Sequence, residues 1–125
     1  MKCLLKITAL IEEPTGIGLL AVPALVVRLL LGAEISGAAM TLGRVAGVAL
    51  LALGVACWLA SHDARSCAAR AVISGMVFYN FGAVAILGIT GIQTPPGGVL
   101  LWPAVILHAG MGFWCVASLL SKKPA

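Results

Sequence analysis

Three polar residues inside long apolar stretches are the ones best suited to chemistry. Tyr79 and Asn80 are adjacent in one stretch, and His108 lies in the next. Their phenol, amide and imidazole can donate and accept hydrogen bonds, and the imidazole can also carry a proton. At helical rise, Asn80 lies about 13 Å and His108 about 18 Å from the same end of their helices, roughly one turn apart. The pattern predicts a Tyr79–Asn80–His108 cluster, either a small-molecule or proton site or a hydrogen-bonded brace.

An acidic pair, Glu12 and Glu13, directly precedes Pro14 near the start of the chain. Two carboxylates at this place could gate a cation path or accept a proton. They could also favour a helix N-terminus through the helix dipole, or pair with Arg65 or Arg70. We expect these carboxylates at the cytoplasmic end of the first span.

The sequence contains no motif of a known catalytic or cofactor site. It has no nucleophile–base pair, no phosphate-binding glycine loop and no CxxC, and its four cysteines are separated by 54, 10 and 48 residues. These separations match no common zinc pattern. His108 is the only histidine in an apolar stretch, which leaves no second axial histidine for haem. We expect no catalytic residue, cofactor or bound metal.

The elements that must position these residues are four apolar stretches, about 15–31, 43–60, 71–92 and 99–120. The chain is 62% hydrophobic and 10% charged, and its mean hydropathy is +1.13. A helix of about 20 apolar residues crosses the hydrocarbon of a bilayer. The sequence therefore predicts an all-α polytopic membrane protein, with residues 1–125 forming one antiparallel four-helix transmembrane bundle in the lipid bilayer.

The start of the first span has two possible registers. A helix that begins at Leu4 places Glu12 and Glu13 about 12 Å inside the bilayer. Each buried charge costs about 3 kcal/mol, against a gain of about 0.3–0.6 kcal/mol per aliphatic residue. We therefore favour a helix that begins near Pro14, preceded by residues 1–11 as a short interfacial helix or an extra cytoplasmic turn. Pro23 is expected to kink this span.

Gly43, Gly47 and Gly54 share one face of the second span, because their spacings are four and seven residues. Small residues in membrane helices allow another backbone to approach closely. We expect this face to contact another helix, in the same chain or in a homo-oligomer or larger membrane complex.

The basic residues indicate orientation rather than nucleic-acid binding. Six of eight fall on the side that holds both termini and the second loop: Lys2, Lys6, Arg65, Arg70, Lys122 and Lys123. The remaining two, Arg28 and Arg44, flank the first loop together with Glu34. The positive-inside rule then places both termini in the cytoplasm, with the protein in a bacterial cytoplasmic (inner) membrane. The cysteines near that side are expected to be free thiols.

Three stretches carry a resemblance: RLLLGAEISGAAMTLGRVAGVALLALGVACWLA, GMVFYNFGAVAILG and PPGGVLLWPAVILHAG. They resemble those of small bacterial four-span integral membrane proteins, and the size and layout also resemble DoxX-like four-helix proteins. The arginine-and-glycine pattern of DoxX-like proteins lies near the start of the first span, whereas Arg28 to Gly32 closes that span here. The resemblance implies a four-span membrane fold and assigns no residue a role.

Three functions fit these observations. The leading one is a non-enzymatic helper or structural subunit of a membrane assembly, because almost every residue is expected to lie inside the bilayer and the glycine faces suit helix contact. The first alternative is an oligomeric small-molecule or ion transporter or channel. The second is a quinone- or lipid-binding redox accessory that uses His108 and Tyr79.

Overall fold

The computed structural model describes residues 1–121, and this part of the chain is helical with no strand. Its helices are α1 (Lys2–Ala21), α2 (Pro23–Leu31), α3 (Ala38–Ala60), α4 (Cys67–Gln93) and α5 (Leu101–Leu120). The all-α class is therefore confirmed. The two basic residues Lys122 and Lys123, used above for orientation, lie outside the described residues.

The helices α3, α4 and α5 are each long and apolar enough to cross a membrane. Together α1 and α2 pass the same test, but a bend of 116° separates them. The described chain thus has three candidate crossings, or four if the bent pair forms one. Length and composition support a membrane-spanning protein.

Val22 and Pro23 produce the bend between α1 and α2. Val22 has φ −135° and ψ 58°, outside the helical region, and a residue before proline is sterically pushed away from it. Pro23 lacks an N–H and occupies the first position of α2. The predicted kink at Pro23 is thus a sharp turn between two helices. The helix α2 ends at Gly32, whose φ of 71° places it in the left-handed region that favours glycine.

The predicted separate helix before Pro14 was wrong, because α1 runs from Lys2 to Ala21 with Pro14 inside it. Two close contacts with α3 hold α1 in line on either side of the proline. A Cβ added at Gly54 would lie 3.6 Å from the Ala9 carbonyl oxygen, and one added at Gly47 would lie 2.7 Å from that of Gly16. Packing therefore outweighs the hydrogen bond that Pro14 cannot make.

The hydrophobic core lies at the end of the molecule where α1 begins. It combines the starts of α1 and α4 with the ends of α3 and α5, so these four helices alternate in direction. Residues assigned by sequence to an interfacial helix supply part of this core, because their buried positions recur with helical spacing. The core consists of Leu4, Leu5, Ala9, Cys57, Ala69, Ile73, Met76, Met111 and Cys115.

The helices pack as two antiparallel pairs, α1 with α3 and α4 with α5. The three glycines predicted to form a contact face do so within the chain. A Cβ at Gly43 would lie 3.0 Å from Pro23 Cβ, while Gly47 faces Gly16 and Gly54 faces Glu13. The glycine face of α3 is thus the surface on which α1 and the start of α2 rest.

Local contacts fix the ends of the second pair and attach it to α2. The Ser66 side chain accepts a 3.0 Å hydrogen bond from the Ala69 N–H and caps α4. At the opposite end, the Leu100 N–H donates to the Leu29 carbonyl oxygen at 2.9 Å. A Cβ at Gly98 would collide with that same carbonyl. The backbone of α2 is therefore held against the segment that leads into α5.

Candidate functional site

The structure brings Asn80 and His108 into direct contact between α4 and α5. Nδ1 of His108 lies 2.9 Å from Oδ1 of Asn80, and Nδ2 of Asn80 donates to the Met76 carbonyl oxygen at 2.8 Å. Because Oδ1 can only accept, Nδ1 of His108 is the donor. The other ring nitrogen, Nε2, is then an acceptor in the neutral imidazole. Asn80 is 1% exposed and has both ends of its amide bonded.

Tyr79 connects this pair to α1. Its ring lies edge-on to the His108 ring, with the centroids 5.4 Å apart. Its hydroxyl donates to Oε2 of Glu12 at 3.3 Å. Glu12 is only 4% exposed, although it is a carboxyl group in an apolar protein. The cluster therefore has four members, one more than the sequence analysis grouped together.

Glu12 was named as a candidate residue but was not grouped with the cluster, because it was expected at the cytoplasmic end of the first span. The signal that could have found it is the buried stripe Leu4, Leu5, Thr8, Ala9, Glu12 and Gly16. These positions follow the helical period, so a helix that buries the leucines also buries Glu12. The helical period therefore favours the other register, in which Glu12 lies inside the protein.

The second carboxylate has a different environment. Glu13 is half-buried beside α3, where a Cβ added at Gly54 would lie 2.7 Å from Glu13 Cγ. The expected pairing of either glutamate with Arg65 or Arg70 is not formed within residues 1–121. Arg70 instead approaches the Leu119 carbonyl oxygen at 3.4 Å.

The ion pair that does form in the described chain lies away from the cluster. Nε of Arg28 is 3.6 Å from Oε1 of Glu34, and both side chains are mostly exposed. It lies beside the loop that Arg28 and Arg44 were predicted to flank. Such an exposed pair contributes at most about 1 kcal/mol.

A cavity of about 780 Å³ lies between the two helix pairs, and the cluster forms part of its wall. Its polar side chains are Glu12, Thr15, Tyr79 and His108. The rest of the wall is apolar, and α2 contributes Val26, Val27 and Leu30 to it. Phe78 and Ile86 line the cavity although they are 86% and 69% exposed, so the cavity opens at the outer surface of the molecule.

The cysteines lie apart from the cavity wall. Cys57 and Cys115 are buried in the core, whereas Cys3 and Cys67 are exposed. Within the described residues, no three His, Cys, Asp or Glu side chains are grouped so that they could hold a metal ion. The chemistry available at the cavity is therefore hydrogen bonding and charge pairing through Glu12, Tyr79 and His108.

No family model, curated protein or solved structure matches this chain. The resemblance to small bacterial four-span membrane proteins and to DoxX-like proteins stays a prediction.

Proposed function

We propose that this protein binds a lipid-soluble small molecule in the cavity between its two helix pairs. The observation that carries the proposal is a space of about 780 Å³ with apolar walls and a few polar side chains. Small-molecule sites in proteins commonly measure about 300–1,000 Å³ and have the same composition. A cavity of this size lies within one chain, so binding requires no second copy.

The proposed ligand enters from the membrane. The cavity opens beside Phe78 and Ile86, which are exposed apolar residues of the helix α4. On the surface of a membrane protein such residues face lipid, and a molecule dissolved in lipid can reach the opening sideways. The ligand then places its apolar part along the walls and its polar part near Glu12 and His108.

The same proposal includes the membrane arrangement expected from the sequence. The bent pair α1–α2 forms the fourth crossing of an antiparallel four-helix bundle, with both termini in the cytoplasm of a bacterium. Support comes from the core, where the starts of α1 and α4 meet the ends of α3 and α5. Release of the ligand on the opposite side of the membrane would make the protein a transporter.

Native mass spectrometry of the protein in mild detergent tests ligand binding, with two matched variants. Gly82 and Gly75 both lie in α4, and a Cβ added at either meets no atom of the described chain within 4 Å. Only Gly82 lines the cavity. We expect wild type and Gly75→Leu to retain a small molecule and Gly82→Leu to lose it. A wild-type protein that carries no bound molecule, even after incubation with a membrane lipid extract, would contradict the proposal.

A second candidate function is the helper or structural subunit, and open glycines on the outer faces favour it. A Cβ added at Gly75, Gly88 or Gly110 would meet no atom of residues 1–121 within 4 Å. Helices of another protein can approach such positions closely. In the same mass spectra, a second polypeptide at fixed ratio, without a small molecule, would favour this function over ligand binding.

A further inference from the structure

The polar end of the cavity offers hydrogen-bond acceptors. The Tyr79 hydroxyl hydrogen is donated to Glu12, and the Nδ1 hydrogen of His108 is donated to Asn80. What remains toward a ligand is the carboxylate of Glu12, the Tyr79 oxygen and Nε2 of neutral His108, all of which accept. A ligand that fits this end must therefore bring donors.

The charged side chains in the cavity wall further restrict which ligands can bind. Among residues 1–121, Glu12 is the only carboxylate in the cavity wall, and no lysine or arginine of this part of the chain lines it. In the described chain the ion pair found is between Arg28 and Glu34, so Glu12 has no cationic partner there. An ionised carboxylate in an apolar interior is stable only with a counter-charge, and without one the carboxyl group takes up a proton. A cationic ligand would provide this counter-charge.

Two ligand classes are disfavoured by the same features. An anionic lipid or fatty acid would place its negative charge beside Glu12 with no cation to offset it. A quinone head has only carbonyl acceptors, and it would meet acceptors at the polar end. Tyr79 contacts Glu12 and Phe78 lines the same cavity, and aromatic rings can contact a cation favourably through their faces.

We propose that the ligand is a lipophilic amine that binds as an ammonium ion, with its N–H groups directed to Glu12 and His108. This inference rests on the proposed function, because it names the chemical class that the same cavity takes. The apolar part of the amine lies along the wall formed by α2, α4 and α5, where Val26, Leu87 and Leu107 contribute side chains. Tyr79 holds the Glu12 carboxylate in position through its hydroxyl.

Calorimetric titration of the full chain in lipid nanodiscs tests the ligand class, with empty nanodiscs as the reference. The probes are 4-phenylbutylamine, 4-phenylbutanol and 5-phenylpentanoate, which share a phenylbutyl group and end in a cation, a neutral hydroxyl or an anion. We expect the amine to bind about tenfold more tightly than the alcohol, and the carboxylate most weakly, since a hydrogen bond to a charged group is stronger than a neutral one.

Variants at the two neighbouring glutamates assign the preference to one side chain. Glu12→Gln keeps an acceptor for Tyr79 and removes the charge, so the amine should lose about tenfold in affinity while the alcohol changes little. Glu13→Gln is the matched control, because Glu13 packs beside Gly54 and does not line the cavity. It should keep the wild-type preference for the amine.

The outcomes separate the two proposals. Equal binding of all three probes, or a preference for the alcohol, would overturn the amine inference and leave ligand binding standing. Binding of no probe would overturn both. A preference for the amine that survives Glu12→Gln would also overturn the assignment to Glu12. If Glu12→Gln does not fold, the thermal shifts of wild-type protein with the three probes decide the question, with the largest increase expected from the amine.

Discussion

Asn80 is a buried amide whose two polar atoms both have partners. Its Nδ2 donates to the Met76 carbonyl within α4, and its Oδ1 accepts from His108 of α5. The first bond lies within α4, whereas the second joins α4 to α5. The pair therefore links α4 to α5, and we expect it to act as a brace, while His108 also lines the cavity.

Replacing His108 tests the brace. His108→Leu leaves Oδ1 of Asn80 without its donor in an apolar interior, and we expect a loss of about 1–3 kcal/mol in the free energy of unfolding. His108→Asn should retain more stability, because an Asn side chain also carries a nitrogen donor on Cγ. Thermal unfolding of the purified variants in one detergent measures the difference. A leucine variant as stable as wild type would refute the brace.

Glu12 shows how a residue's role depends on the helix that carries it. Taken alone, the pair Glu12–Glu13 next to Pro14 indicates the end of a helix, which is where the sequence analysis placed it. The continuous helix α1 places Glu12 inward against Tyr79 and Glu13 beside α3. The insertion cost of about 3 kcal/mol per buried charge applies to a carboxylate that is surrounded by lipid. Glu12 instead accepts a hydrogen bond from the Tyr79 hydroxyl inside the protein, so its cost differs from that value.

Among the helices, the pair α1–α3 shows a close backbone approach. A Cβ added at Gly47 would lie 2.7 Å from the Gly16 oxygen and 2.8 Å from the Leu20 nitrogen. Both neighbours are backbone atoms, so they cannot move aside without shifting α1 as a whole. Gly75 in α4 is the opposite case, because a Cβ there meets no described atom within 4 Å.

Alanine at these two glycines should therefore have opposite effects. Gly47→Ala must separate α1 from α3, and we expect it to reduce the free energy of unfolding by about 1–3 kcal/mol. Gly75→Ala should be neutral or stabilise by up to about 1 kcal/mol, because alanine is the better helix former. Parallel thermal melts of the two variants and wild type provide the comparison. Equal melting temperatures for Gly47→Ala and Gly75→Ala would contradict the packing described for α3.

Several elements could be predicted from the sequence because their causes are local. Three predicted features each depend on a few neighbouring residues: the apolar stretches that became α3, α4 and α5, the kink at Pro23 and the contact face at Gly47. The start of α1 was predicted wrongly. The helical period of its residues favours a helix through Pro14, but the continuity of that helix also depends on contacts with α3 that are distant in sequence. The cavity could not be predicted from the sequence either, because it depends on the distance between the two helix pairs.

In the whole molecule, the segments that the sequence analysis predicted to be cytoplasmic lie together at one end. The start of α1, the loop between α3 and α4 and the end of α5 lie together around the core. The exposed thiols Cys3 and Cys67 both belong to this end, and the hydrophilic residues Arg65 and Arg70 flank Cys67. The opposite end contains the exposed Ser36 in the loop between α2 and α3.

Thiol labelling in intact bacteria tests which end faces the cytoplasm. If the basic residues orient the protein as proposed, a maleimide that cannot cross the membrane will not reach Cys3 or Cys67, while a permeant maleimide will label both. Ser36→Cys provides the matched positive control, because it adds an exposed thiol at the opposite end. That variant should react with the impermeant reagent in whole cells. Labelling of Cys67 without permeabilisation, with position 36 protected, would reverse the orientation and place the thiols outside the reducing cytoplasm.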